Sequence, residues 1–344
     1  MIKDNNIHQT ANFAVLSVSF EKADAEIRGK FAFFDDHVKY FVNQIHDLNL
    51  GDAFVVSTCN RTEIYLSLEN KSTVNAFELL CTLAGVDYEE YQYAGRTISG
   101  KGVLFYLCEL ASGVKSQIWG EDQILTQVKG ALSEARELNA CDSYLEVLFR
   151  TAITCAKKVK TEIRLNPREN AENSIVDKTL KIIAADTAIR TVMVIGNGKI
   201  GCDVATSLVR KGYRTIITLR SYRSGVNIAI EGVHTIDYAN RYEALLDCDA
   251  VVSATLSPHY TLTLEGVRRC EKRPSLWIDL AVPRDIEPEI GAIDGASLYD
   301  VDTICADEIK ENHIKQRGQV HEVIEKYICD YDHWCAHKRG IVYA

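Results

Sequence analysis

The stretch T-V-M-V-I-G-N-G-K-I-G, residues 191–201, decides the fold of the second half of the chain. Its first five residues are a short apolar run of strand length. Gly196, Gly198 and Gly201 follow at once, in GxGxxG spacing. Beyond them Ile200, Val204 and Leu208 recur at helical spacing, and the pattern stops at Gly212. Strand, glycine turn and helix in that order open a dinucleotide-binding unit. The first glycine permits the tight turn, the second lets a pyrophosphate approach the backbone, and the third lets the helix pack on the strand. The helix N-terminus presents unpaired N–H groups to phosphate. Gly196, Asn197, Gly198, Lys199, Ile200 and Gly201 are therefore the candidate cofactor residues.

The next strand, Thr215–Leu219, runs into Arg220, Ser221, Tyr222, Arg223 and Ser224. An NAD site places an acid about 20 residues past the glycines. Here Arg220, Ser221 and Arg223 stand instead, a set that suits a 2′-phosphate, so the expected cofactor is NADPH. Further strands are read at Ala250–Ala254, Leu276–Leu280 and Ser297–Val301, with helical segments between most of them. That alternation predicts a doubly wound parallel sheet of Rossmann type.

Toward the N-terminus, the polar N-P-R-E-N-A-E-N-S at 166–174 reads as a linker. Before it, residues 13–20 and Ala53–Ser57 read as strands, and Glu63–Leu68 alternates as a half-buried strand. Helical patterns cover 35–48, 74–84, 100–112, 122–138 and 143–165. The expected fold is α/β in three parts: an α+β catalytic domain at 1–165, the Rossmann NADPH domain at 166–303, and a long helix at 304–344. On that helix Val320, Val323, Ile324, Tyr327, Ile328, Tyr331 and Trp334 form an apolar stripe that needs a partner.

The 344 residues carry 39 basic and 48 acidic side chains, a net charge of −9, which excludes a general basic coat for nucleic acid. Apolar residues make up 47%, yet no run approaches the ~20 residues of a membrane span. The start of the chain lacks a signal-peptide pattern. Eleven cysteines without a CxxC pair fit neither a disulfide framework nor a zinc ribbon. They fit reduced thiols, hence a cytoplasmic location.

One cysteine stands out by its neighbours. Cys59 lies in the tight connection Thr58-Cys59-Asn60-Arg61-Thr62 between two strands. The Arg61 guanidinium two residues on favours the thiolate, and Thr58 and Asn60 add donors. A nucleophilic thiol beside a nicotinamide domain suggests a thioester that hydride reduces to an aldehyde.

S-T-C-N-R-T-E-I-Y (57–65) and A-S-G-V-K-S-Q-I-W-G-E-D-Q-I-L-T-Q-V-K (111–129) together resemble the glutamyl-tRNA reductase family. V-K-T-E (159–162) and I-D-L-A-V-P-R-D-I-E-P (278–288) match as well, and the resemblance runs from about residue 14 to about 335. It implies NADPH-dependent reduction of glutamyl-tRNA(Glu) to glutamate-1-semialdehyde, the first step of the C5 route to tetrapyrroles. By this resemblance Cys59 is the nucleophile. Thr58, Asn60 and Arg61 line the glutamyl pocket, with Arg61 on the free side-chain carboxylate. Ser116, Glu121, Asp122, Gln123 and Gln127 belong to the second pocket segment, with Glu121 receiving the α-ammonium. It also implies hand-off of the aldehyde to glutamate-1-semialdehyde aminomutase.

The chain departs from the family pattern in places. Tyr106 replaces a histidine before A-S-G and is kept as a positioning residue, since a phenol is a poor base at neutral pH. Ser19-Phe20, Lys115, Asp122 and Leu219 also differ from the usual residues. The resemblance implies a C-terminal dimerisation domain that is shortened here, so the apolar stripe is expected either to form a smaller homodimer contact through the C-terminal helix or to pack on the body of the chain.

Two lesser candidates remain. Cys329, His333 and His337 recur on one helical face, as metal ligands do, but a polar helix end explains them and no metal is assigned. Arg150, Lys157, Lys158, Lys160 and Arg164 form a basic stretch that tRNA phosphates would suit. The competing functions are a non-catalytic regulator binding tRNA or NADPH, and a reductase of the same fold acting on a small free substrate.

Overall fold

The computed structural model describes residues 13–33, 35–47, 51–58, 60–67, 76–163, 165, 174–219, 230–305 and 311–338. Contacts divide the chain into two compact units, Met1–Asn170 with Asp307–Ala344, and Ala171–Ala306.

The first unit is built on four antiparallel strands, β1 (Phe13–Ser19), β2 (Asp52–Thr58), β3 (Arg61–Ser67) and β4 (Gly95–Ser99), in the order β2-β3-β1-β4. Helices α1 (Ala25–Lys30), α2 (Asp35–Asp47), α3 (Ala76–Ala84) and α4 (Tyr88–Tyr91) belong with one face of the sheet. There Val38, Phe41, Val42 and Ile45 of α2 meet Leu16, Val18, Val55, Ile64 and Leu66. Helices α5 (Lys101–Ser112), α6 (Gln123–Glu137) and α7 (Ser143–Glu162) cover the other face, over Val15, Phe54, Val56 and Tyr65.

This layering corrects the reading of Glu63–Leu68 as half-buried. Strand β3 is buried at every position, because it is interior to the sheet and both faces are covered. Alternation of polar and apolar residues marks a wet face only where one face is left open. Here the polar side chains of β3 turn inward and must find partners there. Strand β4 carries no such pattern and was not expected. It is an edge strand whose residues alternate between half-buried and exposed beyond Gly95.

The last helix of the chain, α13 (Glu311–Lys338), packs on α5 and α7 within the same unit. Its Val320, Ile324, Tyr331 and Cys335 enter the core formed by α5, α6 and α7. The apolar stripe thus finds its cover inside the chain. A dimer built on that stripe would first have to lift the helix from its own body, exposing side chains worth roughly 1.5–3 kcal/mol each. No helix among the described residues is long and apolar enough to cross a membrane.

The second unit is a six-stranded parallel sheet. Its strands are β5 (Thr191–Ile195), β6 (Arg214–Leu219), β7 (Val233–Asp237), β8 (Ala250–Ser253), β9 (Leu276–Asp279) and β10 (Ser297–Asp300), in the order β10-β9-β8-β5-β6-β7. Its helices are α8 (Ile175–Ala185), α9 (Lys199–Arg210), α10 (Arg241–Ala244), α11 (Leu264–Arg268) and α12 (Val301–Cys305). This is the expected doubly wound sheet with one more strand, β7. V-H-T-I-D escapes a pattern search because it is a half-exposed edge. The strand order reverses between β5 and β8, which places a ligand crevice at their carboxyl ends.

Candidate active site and cofactor cradle

Strands β2 and β3 pair up to Thr58 opposite Arg61, so their connection is two residues long. Its first residue, Cys59, lies outside the described residues. Its second, Asn60, donates its N–H to Thr58 Oγ1 at 3.1 Å and accepts at its carbonyl from Phe20 N at 3.0 Å. The hairpin end is therefore tied both to itself and to the chain leaving β1.

Arg61, Glu63 and Tyr65 alternate on one face of β3, and all three are buried. Arg61 Nη1 and Glu63 Oε1 form an ion pair at 2.8 Å, with Arg61 only 1% exposed. Glu63 Oε1 also accepts from Tyr106 Oη at 2.6 Å and from Ser17 Oγ at 3.2 Å, and its Oε2 accepts from Tyr65 Oη at 2.7 Å. Ser17 reaches it because β1 pairs Ser17 directly with Glu63. Arg61 Nη1 additionally lies 3.3 Å from Tyr106 Oη, and Nη2 donates to the Lys115 carbonyl. Glu63 keeps the Arg61 guanidinium charged against the cost of burial. The expectation that Arg61 offers a free fork to a substrate carboxylate is thereby revised. Both terminal nitrogens already serve Glu63, Tyr106 and the Lys115 carbonyl, since strand geometry sets Glu63 beside it at i+2.

Tyr106 is 3% exposed. Burial, reinforced by Glu63, pushes its phenol well above the ordinary range, so it stays a donor. Its ring lies beneath two cations, Lys115 at 5.0 Å and Arg96 at 5.4 Å from the centroid. Both also pair with Glu21, and together with Arg61 they hold its carboxyl low although burial opposes them.

The Arg61–Lys115 contact joins the hairpin to the second predicted segment. Helix α5 ends at Gly113 in a left-handed conformation, φ +87°. A Cβ there would come within 2.9 Å of the Glu121 carbonyl, so only glycine lets the helix end meet the G-E-D-Q turn. Ser116 is buried and Glu121 half-buried. Burial raises the Glu121 carboxyl, while Ser116, Arg61 and Lys160 pull it back toward the ionised form. Arg61 thus acts on Glu121 across 60 residues of sequence.

Asp122 and Gln123 lie apart from this cluster. The Asp122 side chain is 77% exposed and paired with Lys160 at 2.7 Å, and Gln123 is exposed at the first turn of α6. Gln127, one turn along, is half-buried. Lys160 itself corrects the basic-patch reading. Its ammonium turns toward the turn and donates to the Gly120 carbonyl at 3.3 Å and the Glu121 carbonyl at 2.9 Å. Arg150 and Lys158 have acidic neighbours, Glu146 and Glu162, while Arg164 lies outside the described residues.

In the second unit, Gly196 takes φ +106°, and a Cβ there would lie 2.5 Å from the Ala254 carbonyl. A Cβ on Gly201 would lie 2.0 Å from the Gly196 carbonyl. Around Gly198 a Cβ would meet nothing within 4 Å, and no side chain caps the helix it opens. An open, uncapped helix start under a close-packed glycine turn fits a pyrophosphate. Asn197, Lys199 and Ile200 surround that opening. Arg220, Ser221 and Arg223 lie outside the described residues.

Across the crevice, Ser253 Oγ and Thr255 N both donate to the buried Asp285, at 2.7 and 2.8 Å. This pins the loop after β8 opposite the glycines. Burial and then the nearby Asp285 push Asp279 up to about 8, although three backbone N–H groups oppose them. On α13, Cys329 Sγ stands 3.9 Å from His333 Nε2, and no group of three metal-ligating side chains occurs among the described residues.

Residues 16–163 match the model of the glutamyl-tRNA(Glu) reductase N-terminal domain, and residues 178–306 that of shikimate/quinate 5-dehydrogenase. A glutamyl-tRNA reductase of Alkaliphilus oremlandii is 49% identical over 96% of this chain and 99% of its own length. The chain belongs to the glutamyl-tRNA reductase family. It is an oxidoreductase with a dinucleotide-binding fold of the NAD(P) type. The family's protein from Acetivibrio thermocellus is likewise 49% identical, over 96% of this chain and 99% of its own. The glutamyl-tRNA reductase structure from Methanopyrus kandleri superposes with a TM-score of 0.50 at 26% identity, covering 94% of this chain and 80% of that one.

Within this family member, motif reading missed Glu63, Ser17 and Lys160, whose side chains bond to Arg61, Glu63 and the Glu121 carbonyl. Glu63 and Lys160 both lie inside matched stretches, T-C-N-R-T-E and V-K-T-E. The signal for them was a charged residue at a position whose face proves to be covered.

Proposed function

We propose that the chain reduces the glutamyl group of glutamyl-tRNA(Glu) to glutamate-1-semialdehyde with NADPH, through a thioester on Cys59, as the first step of tetrapyrrole formation by the C5 route. The convergence of the Thr58–Arg61 hairpin with the Ser116–Glu121 turn carries this reading, because both motifs of the family meet at one buried polar cluster.

The Cys59 thiolate attacks the ester carbonyl. The carbon–oxygen bond to the terminal ribose breaks, and that oxygen takes a proton as the tRNA leaves. The dinucleotide, when bound at the glycine turn, supplies the hydride that turns the thioester into an aldehyde as the carbon–sulfur bond breaks and the thiolate returns. The protein's task is to hold the acyl group still. Glu121, whose carboxyl burial raises while Arg61 and Lys160 oppose it, receives the α-ammonium in its ionised form. Thr58 and Asn60 shape the hairpin beside it. Asp122, Gln123 and Gln127 line the approach from the start of α6. Tyr106 acts by donating to Glu63, which fixes Arg61. Gly196 to Gly201 hold the pyrophosphate, with Arg220, Ser221 and Arg223 on a 2′-phosphate.

A single-turnover assay with glutamyl-tRNA, followed by intact mass, tests this. A glutamyl adduct forms without NADPH, disappears into semialdehyde with it, and is absent in Cys59→Ser, which still binds tRNA and NADPH. Substantial reductase activity in Cys59→Ser rejects the thioester. A wild-type chain that binds tRNA but forms neither adduct nor aldehyde supports the regulatory reading instead.

A further inference from the structure

The long helix α13 has no part in the chemistry above, yet its first turns lie against the turn that carries Glu121. Trp119 Nε1 donates to Gln316 Oε1 at 2.9 Å, and the Trp119 ring stacks on His313 with centroids 4.5 Å apart and planes 8° from parallel. Arg317 lies over the same ring at 5.4 Å and donates from Nη2 to the Val114 carbonyl at 3.0 Å. Gln316 uses its other end as well, donating from Nε2 to the Leu165 carbonyl at 3.0 Å. These polar contacts precede the apolar stripe, which enters the core at Val320. Packing of the helix therefore does not require them.

The turn is tied from within and from outside. Residues 113–122 form no regular ladder, and Gly113 and Gly120 both take positive φ. Ser116 N and Gly120 N donate to the Gly113 carbonyl and Glu121 N to the Ile118 carbonyl. Side chains add bonds from outside: Arg61 to the Lys115 carbonyl, Lys160 to the Gly120 and Glu121 carbonyls, and from α13 Arg317 to the Val114 carbonyl and Gln316 to Trp119.

We infer that Trp119 and Gln316 are positioning residues for the acyl-transfer step: through their hydrogen bond, α13 sets the Ser116–Asp122 turn, and with it Glu121, against the glutamyl group. This rests on the thioester reading above. Neither residue touches the reacting atoms. They fix the turn that does, so their loss slows acylation without unloading the cofactor cradle.

The experiment is the single-turnover adduct assay on the full chain, with wild type, Trp119→Phe, Gln316→Ala, Gln316→Glu and the Trp119→Phe/Gln316→Ala double variant. Trp119→Phe keeps a ring on His313 and removes only the donor. Loss of one such bond predicts about a five-fold slower adduct formation at full final amplitude. The double variant is no slower than Gln316→Ala, which already removes the Trp119 bond together with the bond to the Leu165 carbonyl. Gln316→Glu keeps the acceptor for Trp119 and gives up the donor to the Leu165 carbonyl, so it acylates faster than Gln316→Ala without reaching the wild-type rate. The Kd for NADPH, read by nucleotide fluorescence, is unchanged in all.

A merely structural role would reduce amplitude and NADPH binding along with rate. Folded variants that acylate as fast as wild type, or single variants whose effects multiply in the double variant, overturn the inference. A wild-type chain that forms no adduct overturns the thioester reading, and this inference with it.

Discussion

Lys160→Met separates the turn's geometry from its chemistry. The ammonium makes three contacts: the Gly120 carbonyl at 3.3 Å, the Glu121 carbonyl at 2.9 Å and Asp122 Oδ1 at 2.7 Å. Asp122 is 77% exposed, so that pair is worth less than about 1 kcal/mol. The Glu121 carbonyl bond is the better of the remaining two. A hydrogen bond from a charged donor contributes about 1.5–3 kcal/mol. The Lys160 side chain is 18% exposed, so water replaces part of this. A net loss of about 2 kcal/mol in holding the turn follows, and if all of it is felt in the transition state, kcat/KM falls by about 30-fold. The pH profile adds a second readout. Burial raises the Glu121 carboxyl and Lys160 counters it, so removing the ammonium raises it further. The ionised form is needed for the α-ammonium, so activity is lost as pH falls through this pKa, and the acidic limb of kcat/KM moves to higher pH. Initial rates with glutamyl-tRNA between about pH 5.5 and 8 measure both effects. A folded Lys160→Met with a wild-type acidic limb and wild-type kcat/KM refutes the assignment of Lys160 and Glu121.

Glu63→Gln strands the buried Arg61 charge, and urea unfolding of the first unit should show a loss of about 3–5 kcal/mol. A loss below 1 kcal/mol would mean that Tyr106 and the Lys115 carbonyl, not Glu63, compensate the buried charge. Arg220→Ala should weaken NADPH binding at least ten-fold while leaving NADH unchanged, as the loss of a charged contact to the 2′-phosphate requires. Equal weakening of both would remove the 2′-phosphate role. Asp279 titrates near 8 in the folded unit against about 3.8 unfolded. The folded state therefore binds the extra proton between those values, and the second unit loses stability as pH rises from about 4 to 8. Calorimetric melting should show this slope, flattened in Asp279→Asn, and identical slopes would exclude Asp279 as its source.

The Rossmann half was legible because its signals are local. Residues 191–201 state strand, turn and helix in sequence, and Gly196 and Gly201 meet the close backbone contacts that their spacing implies. Two edge strands were not legible: Gly95–Ser99 and Val233–Asp237 bury too little to carry a pattern, whereas the edge strands Asp52–Thr58 and Ser297–Asp300 were read. In the first unit, alternation located β3 but misjudged its burial. A period of two reports which residues share a face, not whether that face is covered. The same ambiguity hid the site's electrostatics. Arg61 and Glu63 stand two apart in T-C-N-R-T-E, a spacing that puts them side by side on a strand. They read as separate charges until α5 is seen to close over them with Tyr106. Lys160 belonged to an apparent basic face, and only the fold shows that its side chain turns toward Gly120 and Glu121. The assignment of Cys59 drew on family resemblance far more than on its immediate neighbours.

A buried ion pair is a weak source of stability, since apolar side chains of similar size fill the same space as well. Arg61–Glu63 therefore calls for a reason beyond holding the core together, and its surroundings supply one. An apolar pair would pack, but it would not select one register between the hairpin and the turn after α5. Arg61 does so, because Nη1 is held by Glu63 on its own strand while Nη2 reaches the Lys115 carbonyl, next to Ser116. Glu63 is held in turn by Ser17 from β1, Tyr65 from β3 and Tyr106 from α5. Four segments thus agree on the position of one guanidinium. The chain's replacement of the family's histidine by Tyr106 is tolerated on this view because the position demands a donor to Glu63, and a phenol whose pKa is raised by burial remains one at every physiological pH. On the proposed function, the departure that bears most directly on the chemistry falls on a residue whose work is geometric.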